Sequence, residues 1–166
     1  QPEYIVGSVH HVGDVPINQS KERYADAIDQ AGGIEALYCD YFDLQYRLIR
    51  DFEPAVIGHF DLIRLFDPDY TQRLTPASTR IWDRIERNLH AVRDRDLILD
   101  FNLRALSKGQ TEPYVSAPIL GRARELGVAV VPGDDSHGVD SVGRNVDRGG
   151  RILADLAFST QWRKPV

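Results

Sequence analysis

The 166-residue sequence contains no methionine, only one cysteine and no long run of apolar residues. The lone Cys39 cannot form an internal disulfide, and its place among apolar helical positions predicts a buried thiol. No segment reaches the roughly 18 consecutive apolar residues that a membrane span needs, and no charged and apolar leader precedes the first predicted strand. We therefore expect a soluble, cytoplasmic protein.

The sequence also lacks an excess of positive charge. Lys and Arg total 20 against 25 Asp and Glu, which gives a net charge of −5. Proteins that bind long nucleic acids or anionic membranes normally present a cationic surface. We therefore expect no nucleic-acid or membrane partner. The 42% hydrophobic content is sufficient for one globular domain.

Short β-branched runs alternate with longer segments of helical periodicity. The predicted strands cover residues 4–9, 55–58, 96–101, 128–131 and 157–160. The predicted helices lie between 20 and 52 with a break at 32–33, from 75 or 78 to 93, and over 116–126 and 145–156, while residues 10–20 are predicted to form a loop. This alternation favours an α/β fold with a parallel sheet or barrel.

Polar side chains follow the predicted strands where each one ends. They are His10 and His11, His59 and Asp61, Asp100 and Asn102, and Asp134, Asp135 and His137. The fifth histidine, His90, lies beside the apolar stripe of a helix and is predicted to be a surface or boundary residue. Working residues in α/β folds collect at the carboxyl ends of strands, and His with Asp suits zinc, iron or manganese. The sequence thus predicts a catalytic metal site without thiolate ligands.

Three of these strand ends belong to longer motifs, Gly7-Ser-Val-His10, Ile57-Gly-His-Phe-Asp61 and Gly133-Asp-Asp-Ser-His137. Their order and spacing resemble the later motifs of the polymerase-and-histidinol-phosphatase (PHP) superfamily, and above all its monofunctional histidinol-phosphatases. Similarity continues in Glu112-Pro-Tyr114 and Asp140-Ser-Val-Gly143. The resemblance covers essentially the whole chain.

The resemblance implies part of a distorted (β/α)7 TIM-like barrel. It implies a trinuclear centre of divalent metal ions, zinc, iron or manganese, that hydrolyses the phosphate monoester L-histidinol phosphate in histidine biosynthesis through a metal-activated hydroxide. His10 and His59 would be ligands of one metal, Asp135 of a second and His137 of the third. Asp135 and His137 would also be the catalytic residues.

Three cations are candidates for binding the substrate phosphate. Arg64 and Lys108 are predicted on strand-end loops, where they either form charge-assisted hydrogen bonds to phosphate or remain solvated surface charges. Arg104 adds a cation in a stretch where the family commonly reads Asn-Thr-x-x-Leu-Arg-Lys. There this chain has Leu103 and Ser107 in place of Thr and Arg, so its phosphate contacts differ in detail.

Two further residues have open alternatives. His11 stands where relatives usually carry an aromatic residue, and it either faces the imidazole of the substrate or fills space. Asp61 either orients a metal ligand or pairs with Arg64.

The earlier ligand motifs of the superfamily, a His-x-His pair, a further His, an Asp-His pair and a bridging Glu, are not found in this sequence. We therefore expect residues 1–166 to be the C-terminal portion of a single PHP domain, without its N-terminal strands and with the N-terminal segment of the same enzyme as partner. The absence of an initiating methionine agrees with this expectation. The alternatives are another PHP-type phosphoesterase acting on a small phosphate ester, or a non-catalytic fragment or interaction subunit.

Overall fold

The computed structural model describes residues 2–165 and contains a four-stranded parallel sheet. The strands are β1 (Val6–Gly7), β2 (His11–Val12), β3 (Val15–Pro16), β4 (Val56–Ile57), β5 (Ile98–Asn102) and β6 (Ala129–Gly133). The helices are α1 (Lys21–Ala31), α2 (Ile34–Phe52), α3 (Tyr70–Arg73), α4 (Thr79–Asp94), α5 (Arg104–Ser107), α6 (Ala117–Glu125) and α7 (Val146–Asp155), with short 3-10 turns at Leu62–Arg64 and Val139–Ser141. The sheet order β1-β4-β5-β6 confirms the predicted parallel α/β arrangement.

Neighbouring strands of the sheet are joined through helices, so their carboxyl ends share one edge. Val6 pairs with Val56, Val56 with Ile98, and Ile98 with Ala129, all in parallel register. Parallel strands need a crossover connection, and here helices supply it. The strand-end side chains predicted to meet are thereby brought to the same edge of the sheet.

Local signals explain where the first helices begin and end. Ser20 caps α1, and its Oγ accepts a hydrogen bond from the Arg23 amide at 3.2 Å. Gly32 closes the helix in the left-handed conformation with φ 83°, as expected of a glycine after a helix C-terminus. The predicted break between the two helices is confirmed.

The apolar stripe predicted for the third long helix is buried in the core. Its members are Ile81, Trp82, Ile85, Leu89 and Val92. They pack in the same hydrophobic cluster as Tyr41 and Phe42 of α2. Cys39 is buried, as predicted. Among the described residues, no helix combines the length and apolar character needed to cross a membrane.

The structure corrects the predicted chain path at two places. Residues 11–16, predicted as a loop, form the antiparallel β2–β3 hairpin, whose two-residue turn begins with Gly13 at φ 58°. The predicted strand at 157–160 is absent. Ala157 has φ 58° there, and the Phe158 amide donates to the Leu153 carbonyl at 2.9 Å, so the chain folds back on the end of α7.

A buried polar contact joins α2 and α4. Asn88 has no exposed surface, and its Nδ2 donates to the Phe42 carbonyl at 2.8 Å and to Gln45 Oε1 at 3.0 Å. Gln45 in turn donates to the Phe60 carbonyl at 2.8 Å, just after His59. The helix pair is therefore hydrogen-bonded to the segment that follows β4.

We predict that Asn88→Ala lowers the free energy of unfolding by about 2 kcal/mol, because it leaves Gln45 Oε1 buried without its donor. Arg80→Ala on the same helix is the control. It removes an exposed pair with Glu35 and should cost less than about 0.5 kcal/mol. Urea denaturation of the three proteins measures both values, and equal stability of the two variants would contradict the prediction.

Candidate active site

A pocket of about 640 Å³ opens at the carboxyl ends of the four parallel strands. Its polar lining includes the predicted metal ligands His10, His59, Asp135 and His137. Asp100, Asn102, Arg104, Lys108, Tyr114 and Asp134 line it as well. The structure therefore brings together side chains that are up to 127 positions apart, from His10 to His137.

The imidazoles of His10 and His59 lie in edge-to-face contact, with ring centroids 4.8 Å apart. Burial of His59, followed by the proximity of His10, lowers the pKa of His59 to about 4. Desolvation also lowers the pKa of His10. Both rings are consequently neutral near pH 7, which is the form that ligates a metal.

One nitrogen of the buried ring has no protein partner. His59 Nδ1 is enclosed and forms no hydrogen bond. His10 differs, because its Nδ1 lies 3.0 Å from Asn18 Nδ2, which leaves Nε2 available. Asn18 follows the β2–β3 hairpin, so the element that sequence reasoning missed also orients a predicted ligand. The Gly13-Asp14 pair between apolar residues was the available hairpin signal.

Asp100 of β5 is an acidic side chain of the pocket whose role the sequence does not indicate beyond its position at a strand end. Its Oδ2 accepts hydrogen bonds from Asn102 Nδ2 at 2.8 Å and from the His59 amide at 3.4 Å. Burial raises the pKa of Asp100 to about 6. The carboxylate thereby connects the ends of β4 and β5.

Asp135 and His137 form the outer part of the pocket. His137 Nδ1 lies 2.8 Å from the Asp135 carbonyl oxygen and 3.8 Å from Asp135 Oδ1. A ring held through Nδ1 keeps Nε2 free for a ligand. Asp135 and His59 have positive φ angles of 47° and 26°, a conformation that is uncommon for residues other than glycine and is concentrated at functional sites.

The predicted phosphate-binding cations divide into two groups. Arg104 and Lys108 line the pocket, and the Nε atom of Arg104 is buried without a hydrogen-bond partner among the described residues. Arg64 lies outside the pocket lining, has no exposed surface and donates to Gln110 Oε1 and to the carbonyls of Glu112 and Pro113 at 2.8–3.0 Å. The prediction that Arg64 contacts the substrate therefore disagrees with its burial.

Asp61 and His11 both lie outside the pocket lining. Asp61 is fully buried, lies 3.4 Å from Arg64 and accepts a hydrogen bond from the Ser116 amide at 2.8 Å. Of its two alternatives, the structure shows the pairing with Arg64. His11 is exposed and borders a separate groove beside Leu48 and Phe52. It does not line the pocket, so the structure disagrees with the alternative in which His11 faces the substrate.

The nitrogen and oxygen donors of the pocket are of the types that divalent transition metals bind, but too few of them lie together in one place. Neutral imidazoles, a buried nitrogen without a partner and nearby carboxylates are the ligands that zinc, iron and manganese take. Among residues 2–165, however, no three His, Cys, Asp or Glu side chains are grouped closely enough to hold an ion. The side chains therefore fit part of a metal centre.

Comparison with known proteins identifies relatives of one kind. The chain is 39% identical over 144 residues, 86% of its length, to a protein of Schizosaccharomyces pombe assigned as a histidinol-phosphatase. This chain is a histidinol-phosphatase homologue. The histidinol-phosphatase of Saccharomyces cerevisiae is 27% identical over 93% of the chain, and that of Lactococcus lactis is 23% identical over 81%. No protein-family model matches the sequence.

A solved structure extends the similarity to the fold. A crystal structure from Listeria monocytogenes, assigned as a histidinol phosphatase, superposes on this homologue with a TM-score of 0.74 and 28% identity over 85% of the chain. The homologue spans 56% of that structure and 47–52% of the three curated relatives. The resemblance inferred from the motifs is thus confirmed, over about half of the relatives' length.

A close approach between β5 and β6 holds the Asp100 carboxylate against the backbone of Gly133, where a Cβ atom would overlap Asp100 Oδ1. We predict that Gly133→Ala displaces Asp100 and lowers the free energy of unfolding by about 1–3 kcal/mol.

Gly121→Ala is the matched control for this substitution. Gly121 lies within α6 with open space where its Cβ would be, so the change should raise the free energy of unfolding by about 0.5–1 kcal/mol. Thermal denaturation followed by circular dichroism distinguishes them, and a Gly133→Ala protein as stable as wild type would contradict the close approach.

Proposed function

We propose that this chain supplies one part of a metal-dependent phosphomonoesterase site that converts L-histidinol phosphate to L-histidinol and phosphate. The proposal rests on the pocket in which His10, His59 and Asp135 converge with the cations Arg104 and Lys108. The names of the relatives supply the substrate, and the pocket supplies the chemistry that such a substrate requires.

In this proposal the two cations bind the phosphate. Guanidinium and ammonium groups form charge-assisted hydrogen bonds to phosphate oxygens and offset the charge that builds up during transfer. Arg104 has a buried Nε without a protein partner, which a phosphate oxygen would satisfy. Lys108 is exposed and free to follow the ester as it enters.

His10, His59, Asp135 and His137 would hold the metal ions, with Asp135 and His137 as the catalytic pair. Bound divalent ions supply Lewis acidity and lower the pKa of water. The contribution of the chain itself is orientation. Asn18 fixes the ring of His10, and the Asp135 carbonyl fixes that of His137. Asp100 connects the backbone of His59 to β5.

We further propose that the sheet is part of a distorted (β/α)7 barrel, and that residues 1–166 form the C-terminal portion of a single PHP domain. The part of the relatives that this chain does not span is called the completing segment below, and we take it to be N-terminal. It would bring the remaining metal ligands. The shortage of ligands among the described residues supports this proposal.

Exposed apolar side chains beside β1 mark a surface that the completing segment would cover. Tyr4, Ile5 and Val6 are 44–61% exposed, and Phe52 at the end of α2 is 76% exposed. Phe52 ends α2, whose other large apolar side chains are buried or half-buried. The outer edge of β1 has no strand partner among residues 2–165. An added strand and helix would cover both features.

A second candidate function is a non-catalytic subunit that keeps the fold with an incomplete centre. The observation in its favour is the same shortage of grouped ligands within residues 2–165. It differs in predicting neither metal uptake nor phosphate release once the completing segment is supplied. A third reading, another PHP-type phosphoesterase, differs only in its substrate.

We expect the chain, joined to its completing segment, to bind divalent metal, and His59→Ala to weaken that binding by at least about 100-fold. The control is His90→Ala, because His90 is a partly exposed histidine of α4 that pairs with Glu86 away from the pocket. Metal analysis and competition with a chromophoric chelator measure the affinities. Wild-type protein without metal above background would favour the non-catalytic reading.

We expect the same assembly to release phosphate from L-histidinol phosphate, and Asp135→Ala to reduce kcat/KM by at least about 100-fold. His90→Ala should retain full activity. A panel of small phosphate esters assayed in parallel separates the substrate alternatives. Full activity in the Asp135→Ala protein would exclude this residue as a ligand or catalytic group.

A further inference from the structure

The ring and the backbone of Tyr114 are both held in place by neighbouring residues. Its ring lies under the Arg64 guanidinium at 4.6 Å from the ring centroid and meets the ring of His59 at 6.3 Å. Its backbone forms an isolated antiparallel bridge with Asn102 at the end of β5, where the Tyr114 amide donates to the Asn102 carbonyl at 3.1 Å. The residue is thus fixed at the floor of the pocket by backbone and ring contacts.

The hydroxyl takes no part in these contacts. Tyr114 is only 1% exposed, lines the pocket, and its hydroxyl has no hydrogen-bond partner in the described protein. Tyrosine hydroxyls in protein interiors are normally hydrogen-bonded, and a lone buried one is unfavourable. A ligand in the pocket would provide the missing acceptor.

The neighbourhood of the hydroxyl indicates what kind of acceptor it would meet. A phenol hydroxyl donates one hydrogen bond, so its partner must be an acceptor such as an oxygen atom. Two other residues of the pocket lining also have a buried polar atom without a partner, and these atoms are His59 Nδ1 and Arg104 Nε. A phosphate has enough oxygens to accept from both the phenol and the guanidinium.

We propose that the Tyr114 hydroxyl is a substrate-binding group that donates a hydrogen bond to a phosphate oxygen of the ligand. This inference rests on the proposed function for the identity of the ligand. The Arg64 guanidinium is then a positioning group, since it contacts the ring that carries the hydroxyl and reaches no ligand itself.

Tyr70 provides a matched control because its ring also contacts Arg64, at 4.7 Å. Its hydroxyl donates to Glu112 Oε1 at 2.8 Å and lies outside the pocket. Tyr70→Phe and Tyr114→Phe therefore each remove one hydroxyl and keep a ring beside Arg64. Only the Tyr70 change removes a hydrogen bond within the protein.

The first measurement is the melting temperature of the 166-residue chain without metal or phosphate. Tyr114→Phe should melt at or above the wild-type temperature, because no internal hydrogen bond is lost. Tyr70→Phe should melt about 2–4 °C lower. A clear loss of stability in Tyr114→Phe would show an internal partner for its hydroxyl and overturn the inference without touching the proposed function.

The second measurement is the binding of inorganic phosphate to the zinc-loaded chain joined to its completing segment, followed by calorimetry. Tyr114→Phe should raise the dissociation constant about tenfold, while Tyr70→Phe should leave it unchanged. Equal affinity of Tyr114→Phe and wild type for phosphate would overturn the role of the hydroxyl and leave the proposed function standing. Absence of phosphate binding in the wild type would overturn the proposed function and this inference together.

Discussion

The buried guanidinium of Arg64 holds together the segments that form the floor of the pocket. It pairs with Asp61 in the turn after β4 and donates to the carbonyls of Glu112 and Pro113 in the loop after α5. Because both members of the ion pair have no exposed surface, loss of either one would leave a buried charge uncompensated. The loop that carries Tyr114 and Ser116 depends on this contact for its position beside His59.

Close packing of backbone against polar side chains also fixes the ends of the strands that line the pocket. Gly58 leaves room for the Ser8 hydroxyl, and Gly133 leaves room for the Asp100 carboxylate. A side chain at either glycine would separate strands that now meet. Parallel pairing, these two glycines and the hydrogen bonds of Asp100 together fix the position of His59 at the end of β4.

The residues that line the pocket differ in how many protein contacts hold them in place. The inner groups, His59, Asp100 and Tyr114, are held by several protein contacts, while His137 and Lys108 are exposed at the rim. Under the proposed function, the remaining metal ligands would come from the completing segment. The exposed apolar side chains lie beside β1, whose outer edge has no strand partner among residues 2–165.

The sequence by itself determined the alternation of strands and helices, the buried stripe of α4 and the family, because each is written in local spacing and residue type. It also placed His10, His59, Asp135 and His137 at strand ends, which parallel pairing then brings to one pocket. Tertiary structure alone decided what the polar side chains do. Arg64 was expected to meet phosphate, but it is fully buried, and the acceptors of its hydrogen bonds lie 46–49 positions away along the chain. Asp100 and Tyr114 likewise gained their places from long-range contacts with His59 and Arg64. Asn18 gained its place from the β2–β3 hairpin, which returns the chain to His10.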